Sequence, residues 1–168
     1  MTDLRIRPVH PDDAASIAQI YAHHVLHGTA TFDVEPLDAE EWREKIASIV
    51  GRGWPFLVAE RNGAVAGYAY ATQFRDRAAY AETCENSIYI AADSLGRGIG
   101  SHLLPALLDA ARQAGFGQMI AVIGGSEPGS VALHAKCGFA HAGRMVDVGR
   151  KFGRLLDTIY MQRALRDG

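Results

Sequence analysis

The sequence predicts an α/β domain built on a mixed, mostly antiparallel sheet with flanking helices. Three observations predict it. Segments with strand-like alternation come in pairs joined by short turns, the usual connection between antiparallel strands. One strand leads through a glycine-rich turn into a long apolar helical stretch and then another strand, a crossover that sets two strands parallel. The chain of 168 residues, 48% apolar and 21% charged, matches one ordinary domain, read here as spanning 1–168.

The elements follow in order. A short strand is expected at Leu4 to Arg7. Pro11 suits the first turn of a helix, and Asp12 and Asp13 suit the positive end of its dipole. Ile17, Ile20, Tyr21 and Val25 then recur at helical spacing. Asp38 and Glu41 have the spacing of a capping box, with Leu37 and Trp42 placed as a hydrophobic staple, and Ile46, Ile49 and Val50 continue the second helix. Phe56 to Arg61 and Val65 to Thr72 flank Asn62-Gly63, a pair that takes the positive φ angles of a tight hairpin turn. A third run, Ser87 to Ala91, precedes Gly96-Arg97-Gly98-Ile99-Gly100-Ser101 and the stretch Leu103 to Ala111, which Gly115 ends. Pro105 is expected to kink this helix or to lie in its first turns. Met119 to Ile123 reads as a strand and Ser130 to Lys136 as a short helix stopped by Gly138. Phe139 to Val148 with Thr158 to Gln162 reads as a closing strand pair.

Composition narrows the function. Seventeen Lys and Arg against nineteen Asp and Glu give a net charge of -2, which argues against a nucleic-acid partner held by overall charge. Cys84 and Cys137 form neither a CxxC nor a metal-ligand spacing, which rules out a disulfide scaffold. No stretch approaches the roughly 18 apolar residues of a membrane span, and Met1 to Arg7 holds no apolar signal region. The chain reads as soluble, reduced and cytoplasmic. His23 and His27 stand one helical turn apart but lack a third ligand, so no metal is expected. Arg150, Lys151 and Arg154 read as a solvated face.

A glycine turn that opens a helix presents backbone N–H groups and a dipole end to an anion such as a pyrophosphate. It serves equally well as a tight connection with no ligand. The Rossmann pattern fails because Ser101 stands where its last glycine would be, and no G-K-[ST] occurs.

Leu95-Gly96-Arg97-Gly98-Ile99-Gly100 resembles the pyrophosphate loop of the GNAT acyl-coenzyme A N-acyltransferases, [QR]-x-x-G-x-[GA], with Leu95 in place of the usual Gln or Arg. The order of elements is similar to that fold. The resemblance narrows to the phosphinothricin and methionine sulfoximine N-acetyltransferases. Its stretches are Thr29 to Phe32, Glu35-Pro36, Pro55 to Glu60, Ala66 to Ala71, Arg77 to Tyr80, Ala121 to Gly124, and Ser130 through Leu133-His134 to Gly138-Phe139. Ser126 and Leu155 depart from it, standing where an Asn and an aromatic residue are common.

This resemblance implies a coenzyme cleft between two splayed parallel strands, acetyl-coenzyme A as cosubstrate, a small amino-acid-like amine as acceptor, and a homodimer. It implies that the backbone of Ile88, Tyr89 and Ile90 bonds the pantetheine arm. Arg97, Gly98, Gly100 and Ser101 would line the pyrophosphate, with Ser130 also against the coenzyme. It assigns proton transfer to Glu85 and His134, and recognition of the acceptor to Arg75 and Arg77 with Phe32 and Tyr80 as walls. Residue by residue, blander readings stand beside these. Glu85, directly before the third run, is also a plausible exposed strand-end acid, and His134 a helix-surface histidine. Arg75 and Arg77, two apart, would turn both guanidinium groups to one side of an extended segment and clasp a carboxylate, or belong to a solvated loop. Acetylation of a peptide or protein N-terminus, and coenzyme A binding without catalysis, are the competing functions.

Overall fold

The computed structural model describes residues 3–167. Seven strands form one sheet: β1 (Leu4–Pro8), β2 (Phe56–Arg61), β3 (Ala64–Gln73), β4 (Thr83–Ile90), β5 (Gln118–Gly124), β6 (Ala140–Lys151) and β7 (Arg154–Ala164). Their spatial order is β1-β2-β3-β4-β5-β7-β6. Every pairing is antiparallel except β4 with β5. Among the described residues four α-helices accompany them: α1 (Ala14–His27), α2 (Ala39–Gly51), α3 (Ile99–Gln113) and α4 (Pro128–Lys136). Among the described residues no helix is long and apolar enough to cross a membrane.

Local sequence signals account for most boundaries. Asn62 and Gly63 take φ of 51° and 79°, as the predicted two-residue turn between β2 and β3 requires. The α2 capping box is complete: the Asp38 and Glu41 carboxylates each accept from the other's backbone N–H at 2.8 Å. Gly115, with φ of 100°, follows the end of α3. Pro105 lies inside α3, beyond its first turn, and the helix runs on to Gln113.

Two expectations shift. β4 begins at Thr83, four positions before the predicted Ser87, because Glu85 and Asn86 hide the alternation behind polar side chains although Asn86 is buried. The closing pair extends to Lys151 and returns from Arg154 through Phe152 and Gly153, at φ of 52° and 71°. A phenylalanine in the left-handed region gives no turn signal in the sequence.

The middle of the sheet is covered on both faces, and β3 records this as alternation of size. Tyr68 and Tyr70 point into the cluster formed by Trp42, Ile17 and Ile46 of α1 and α2. Ala69 and Ala71 lie under Leu103, Leu104 and Leu107 of α3. Small residues on one side let α3 come close while aromatic rings fill the wider space opposite. α3 is thereby fixed as the crossover that carries the chain from β4 to its parallel neighbour β5.

Candidate active site

β4 and β5 pair only through Thr83↔Gln118, Cys84↔Met119 and Glu85↔Ile120, and then part. From there the β5-facing edge of β4 has no sheet partner. Bonds from Phe74 N–H to the Thr83 carbonyl and from Ala91 N–H to the Ala66 carbonyl turn the odd-numbered main-chain groups of β4 toward β3. The main chains of Ile88 and Ile90 therefore face the gap. That of Tyr89 is turned to β3, so Tyr89 reaches the gap only by its side chain. The Ile90 carbonyl is already bonded by His24 Nε2 of α1 at 2.8 Å.

A cavity of about 760 Å³ fills the gap, walled by β4 from Glu85 to Ile90, β5 from Ala121 to Gly124, the 28–32 loop and α4. This is the size of a site for a small organic ligand. Leu95 and Gly96 reach it from the glycine turn, whereas Arg97, Gly98, Gly100 and Ser101 lie outside its lining at the start of α3. Gly98 caps α3 with φ of 78°, a left-handed conformation that glycine adopts without strain. Gly100 has a different reason: a Cβ there would meet Leu133 Cδ2 of α4 at 2.9 Å. Its absence lets α3 and α4 pack closely beside the turn.

Glu85 is the last residue of β4 paired with β5 and borders the cavity, within the strand rather than ahead of it. Burial raises its carboxyl above the ordinary carboxylate range, and the positive charge of Arg75 partly offsets this. His134 is 1% exposed and also borders the cavity. Its Nδ1 lies 2.7 Å from the Ser130 backbone oxygen and its Nε2 lies 3.1 Å from Asn86 Nδ2. Burial lowers its basicity, so the imidazole rests neutral at neutral pH. A carboxylic acid made less acidic and an imidazole made less basic, on two sides of one cavity, suit proton transfer near neutrality. Ser130 lines the cavity next to His134, and the buried Ser126 hydroxyl, at φ of 52°, has no protein partner among the described residues.

The remaining predicted residues divide. Phe32 lines the cavity, its ring lodged between Gly124, where a Cβ would sit 3.0 Å from it, and Gly149, where a Cβ would overlap it. Arg75, Arg77 and Tyr80 lie on an exposed loop outside the cavity lining. The chain bends at residues 74–77 instead of extending, so the two-residue spacing does not align the guanidinium groups. Arg75 stacks on the Phe74 ring at 4.2 Å and is the one of the two whose charge acts on Glu85.

Lys151 corrects the sequence reading. It is 4% exposed, not solvated, and its ammonium donates to the Thr31 carbonyl at 2.9 Å. Tyr21 of α1 holds the same loop by donating to the Asp33 carboxylate. Asn86 and His24 also escaped the sequence reading. An amide beside a candidate acid, and one histidine among three neighbours, give no signal until the strand gap places them.

Residues 6–160 match the acetyltransferase (GNAT) domain family. The chain is 48% identical over 164 residues to the phosphinothricin N-acetyltransferase of Alcaligenes faecalis, covering 97% of this chain and 83% of that one. It is 37% identical to the L-methionine sulfoximine/L-methionine sulfone acetyltransferase of Salmonella typhimurium, covering 96% and 95%. A crystal structure of a GNAT superfamily phosphinothricin acetyltransferase from Sinorhizobium meliloti in complex with acetyl-coenzyme A superposes with a TM-score of 0.93. That alignment has 44% identity and covers 96% of this chain and 88% of the other.

Proposed function

The chain belongs to the GNAT acetyltransferase family, and from that premise we propose that it acetylates the α-amine of a small amino acid bearing a tetrahedral polar side group. Phosphinothricin, methionine sulfoximine and methionine sulfone are the leading acceptors, drawn from the relatives' names. The chain is an N-acetyltransferase with acetyl-coenzyme A as donor. We place the whole chain in one domain acting in the cytoplasm. The observation that carries the reading is the cavity that joins the unpaired edge of β4 to Glu85 and His134.

The residues present fit the coenzyme. The main chain of Ile88 is left without a sheet partner toward β5, and the glycine turn opens the fifteen-residue helix α3 with its dipole toward an anion. Ile88 and Ile90 would hold the pantetheine arm, with Arg97, Gly98, Gly100, Ser101 and Ser130 toward the phosphates and thioester. Acetyl-coenzyme A supplies an activated acetyl group and departs as the thiol. Glu85 accepts the first proton from the substrate ammonium, which frees the nitrogen lone pair. His134 handles the second, which the nitrogen loses as it becomes an amide. Phe32 bounds the acceptor from the side, and Arg75, beside Glu85, offers its carboxylate a counter-charge with Arg77 and Tyr80 on the same loop.

Thiol release with acetyl-coenzyme A tests this against the free amino acids, their carboxamides and short peptides. If the loop arginines meet the carboxylate, the carboxamide loses a charge-assisted bond of roughly 1.5–3 kcal/mol, about 10- to 150-fold in kcat/KM. Arg75→Ala should then impair the acid and barely affect the amide. Preference for peptides over free amino acids would transfer the function to N-terminal acetylation, and coenzyme binding with no turnover of any amine would leave only a binding module.

We also read the chain as a homodimer. β6 is an edge strand exposed along nearly its whole length, and Val146 and Val148 on it, with Phe152 at its turn, are more than half exposed.

A further inference from the structure

Two hydrogen bonds leave His134 a single neutral form. Its Nδ1 is 2.7 Å from the Ser130 carbonyl oxygen, one turn earlier on α4. A carbonyl only accepts, so Nδ1 carries the hydrogen and the lone pair of the neutral ring is on Nε2. Asn86 meets that lone pair: its amide nitrogen is 3.1 Å from Nε2 and its oxygen 3.4 Å. The backbone carbonyl fixes this orientation of the amide, which by itself could be read either way round. Asn86 is 7% exposed, and the Phe139 ring closes on the imidazole edge-on at 4.9 Å.

We infer that Asn86 is a positioning residue that seats its amide N–H on the Nε2 lone pair of the Nδ1–H form of His134, the form the Ser130 carbonyl fixes, so that His134 enters the reaction as a proton acceptor. This rests on the proposed role of His134 in acetyl transfer. The attacking nitrogen sheds two protons as its bond to the acetyl carbon forms and the carbon–sulfur bond breaks. Glu85 takes the first and passes it to solvent. His134 Nε2 takes the second, becomes imidazolium, and returns it to the departing thiolate, so the ring ends neutral and one proton is released overall. Asn86 must swing off Nε2 to admit the proton. A half-turn of its amide then offers Oδ1 to the new N–H, which an aspartate would do from the start and an alanine would not do at all.

Among the described residues no charged side chain competes for control of this ring. The titratable groups on the packed elements are Cys84, Glu85 and Tyr89 on β4, Lys136 on α4 with Cys137 just beyond it, and Arg154, Asp157, Tyr160 and Arg163 on β7. Glu85 projects from the opposite side of β4 to Asn86. Lys136 reaches toward Ser101, and Arg163 bonds the Cys137 carbonyl. None adds a charge effect to His134, which burial and the Ser130 carbonyl govern.

Nitrogen-15 NMR of the full-length protein without substrate tests the assignment, with His134→Gln identifying the signal among seven histidines. The wild type should show a protonated Nδ1 and a bare Nε2, and Asn86→Ala should keep that pattern. Asn86→Asp should protonate Nε2 and raise the His134 titration by about 1 to 3 pH units. The acid limb of kcat/KM should move up with it. A protonated Nε2 in the neutral wild-type ring, or an unmoved titration in folded Asn86→Asp, would overturn the inference. Because the NMR readout needs no substrate, failure of the tautomer is distinct from failure of the function, which shows as no turnover with any amine.

Discussion

Glu85 ends the part of β4 paired with β5, where burial raises its carboxyl and the Arg75 charge draws it partly back. A base works only when ionised, so turnover should fall as pH drops through this raised value, above the range of a free glutamate. Glu85→Gln keeps the shape and removes the acceptor. It should lower kcat by roughly 100-fold or more, strip the Glu85 step from the acid limb so that only the His134 step remains, and leave coenzyme affinity by calorimetry unchanged. An intact limb in the variant would assign it to another group. That Glu85 and His134 would lie at one cavity was legible in the sequence because their neighbours matched a family pattern. Asn86 was not, since nothing in the chain announces that an amide on one strand meets an imidazole on a distant helix. Lys151 was misread for a related reason: three basic residues close together look like a wet surface, and only the long-range fold buries one of them under the Thr31 carbonyl.

Elements joined by local chemistry were read well, and elements joined across the chain were not. The α2 cap, the Asn62-Gly63 turn and the end of α3 depend on residues a few positions apart, and all three formed as expected. The seat of Phe32 depends on Gly124 and Gly149, each far along the chain, and the bend at residues 74–77 on packing that no two-residue spacing encodes. The 28–34 loop is thus held on either side of Phe32, by α1 through Tyr21 at Asp33 and by β6 through Lys151 at Thr31. Lys151→Met preserves the buried stem and deletes the bond to Thr31, worth roughly 1.5–3 kcal/mol to loop order. The KM of the amine should rise several-fold while the Kd of acetyl-coenzyme A holds. An unchanged KM would show that the loop keeps Phe32 in place without β6.

At the scale of the molecule, the mostly antiparallel sheet with one parallel step was legible because one crossover helix joins the two parallel strands, whereas the insertion of β7 between β5 and β6 was not. The long exposed edge was not, since the run Met145 to Val148 reads as ordinary strand until its neighbours are known. Its apolar groups predict self-association. Sedimentation velocity should find a dimer for the wild type and a folded monomer for Val146→Asp; a wild-type monomer at micromolar concentration would remove this face from consideration. The parting of β4 from β5 has a further consequence, in time rather than in space. β1 to β4 and β5 to β7 form two plates hinged at three residue pairs, and the amides beyond the hinge alternate in their protection. Those of Ser87 and Tyr89 are locked to β3, whereas those of Ile88 and Ile90 face an open seam. In deuterated water the strand should therefore exchange as a comb, every second tooth fast, until a ligand threads the seam and makes the teeth alike.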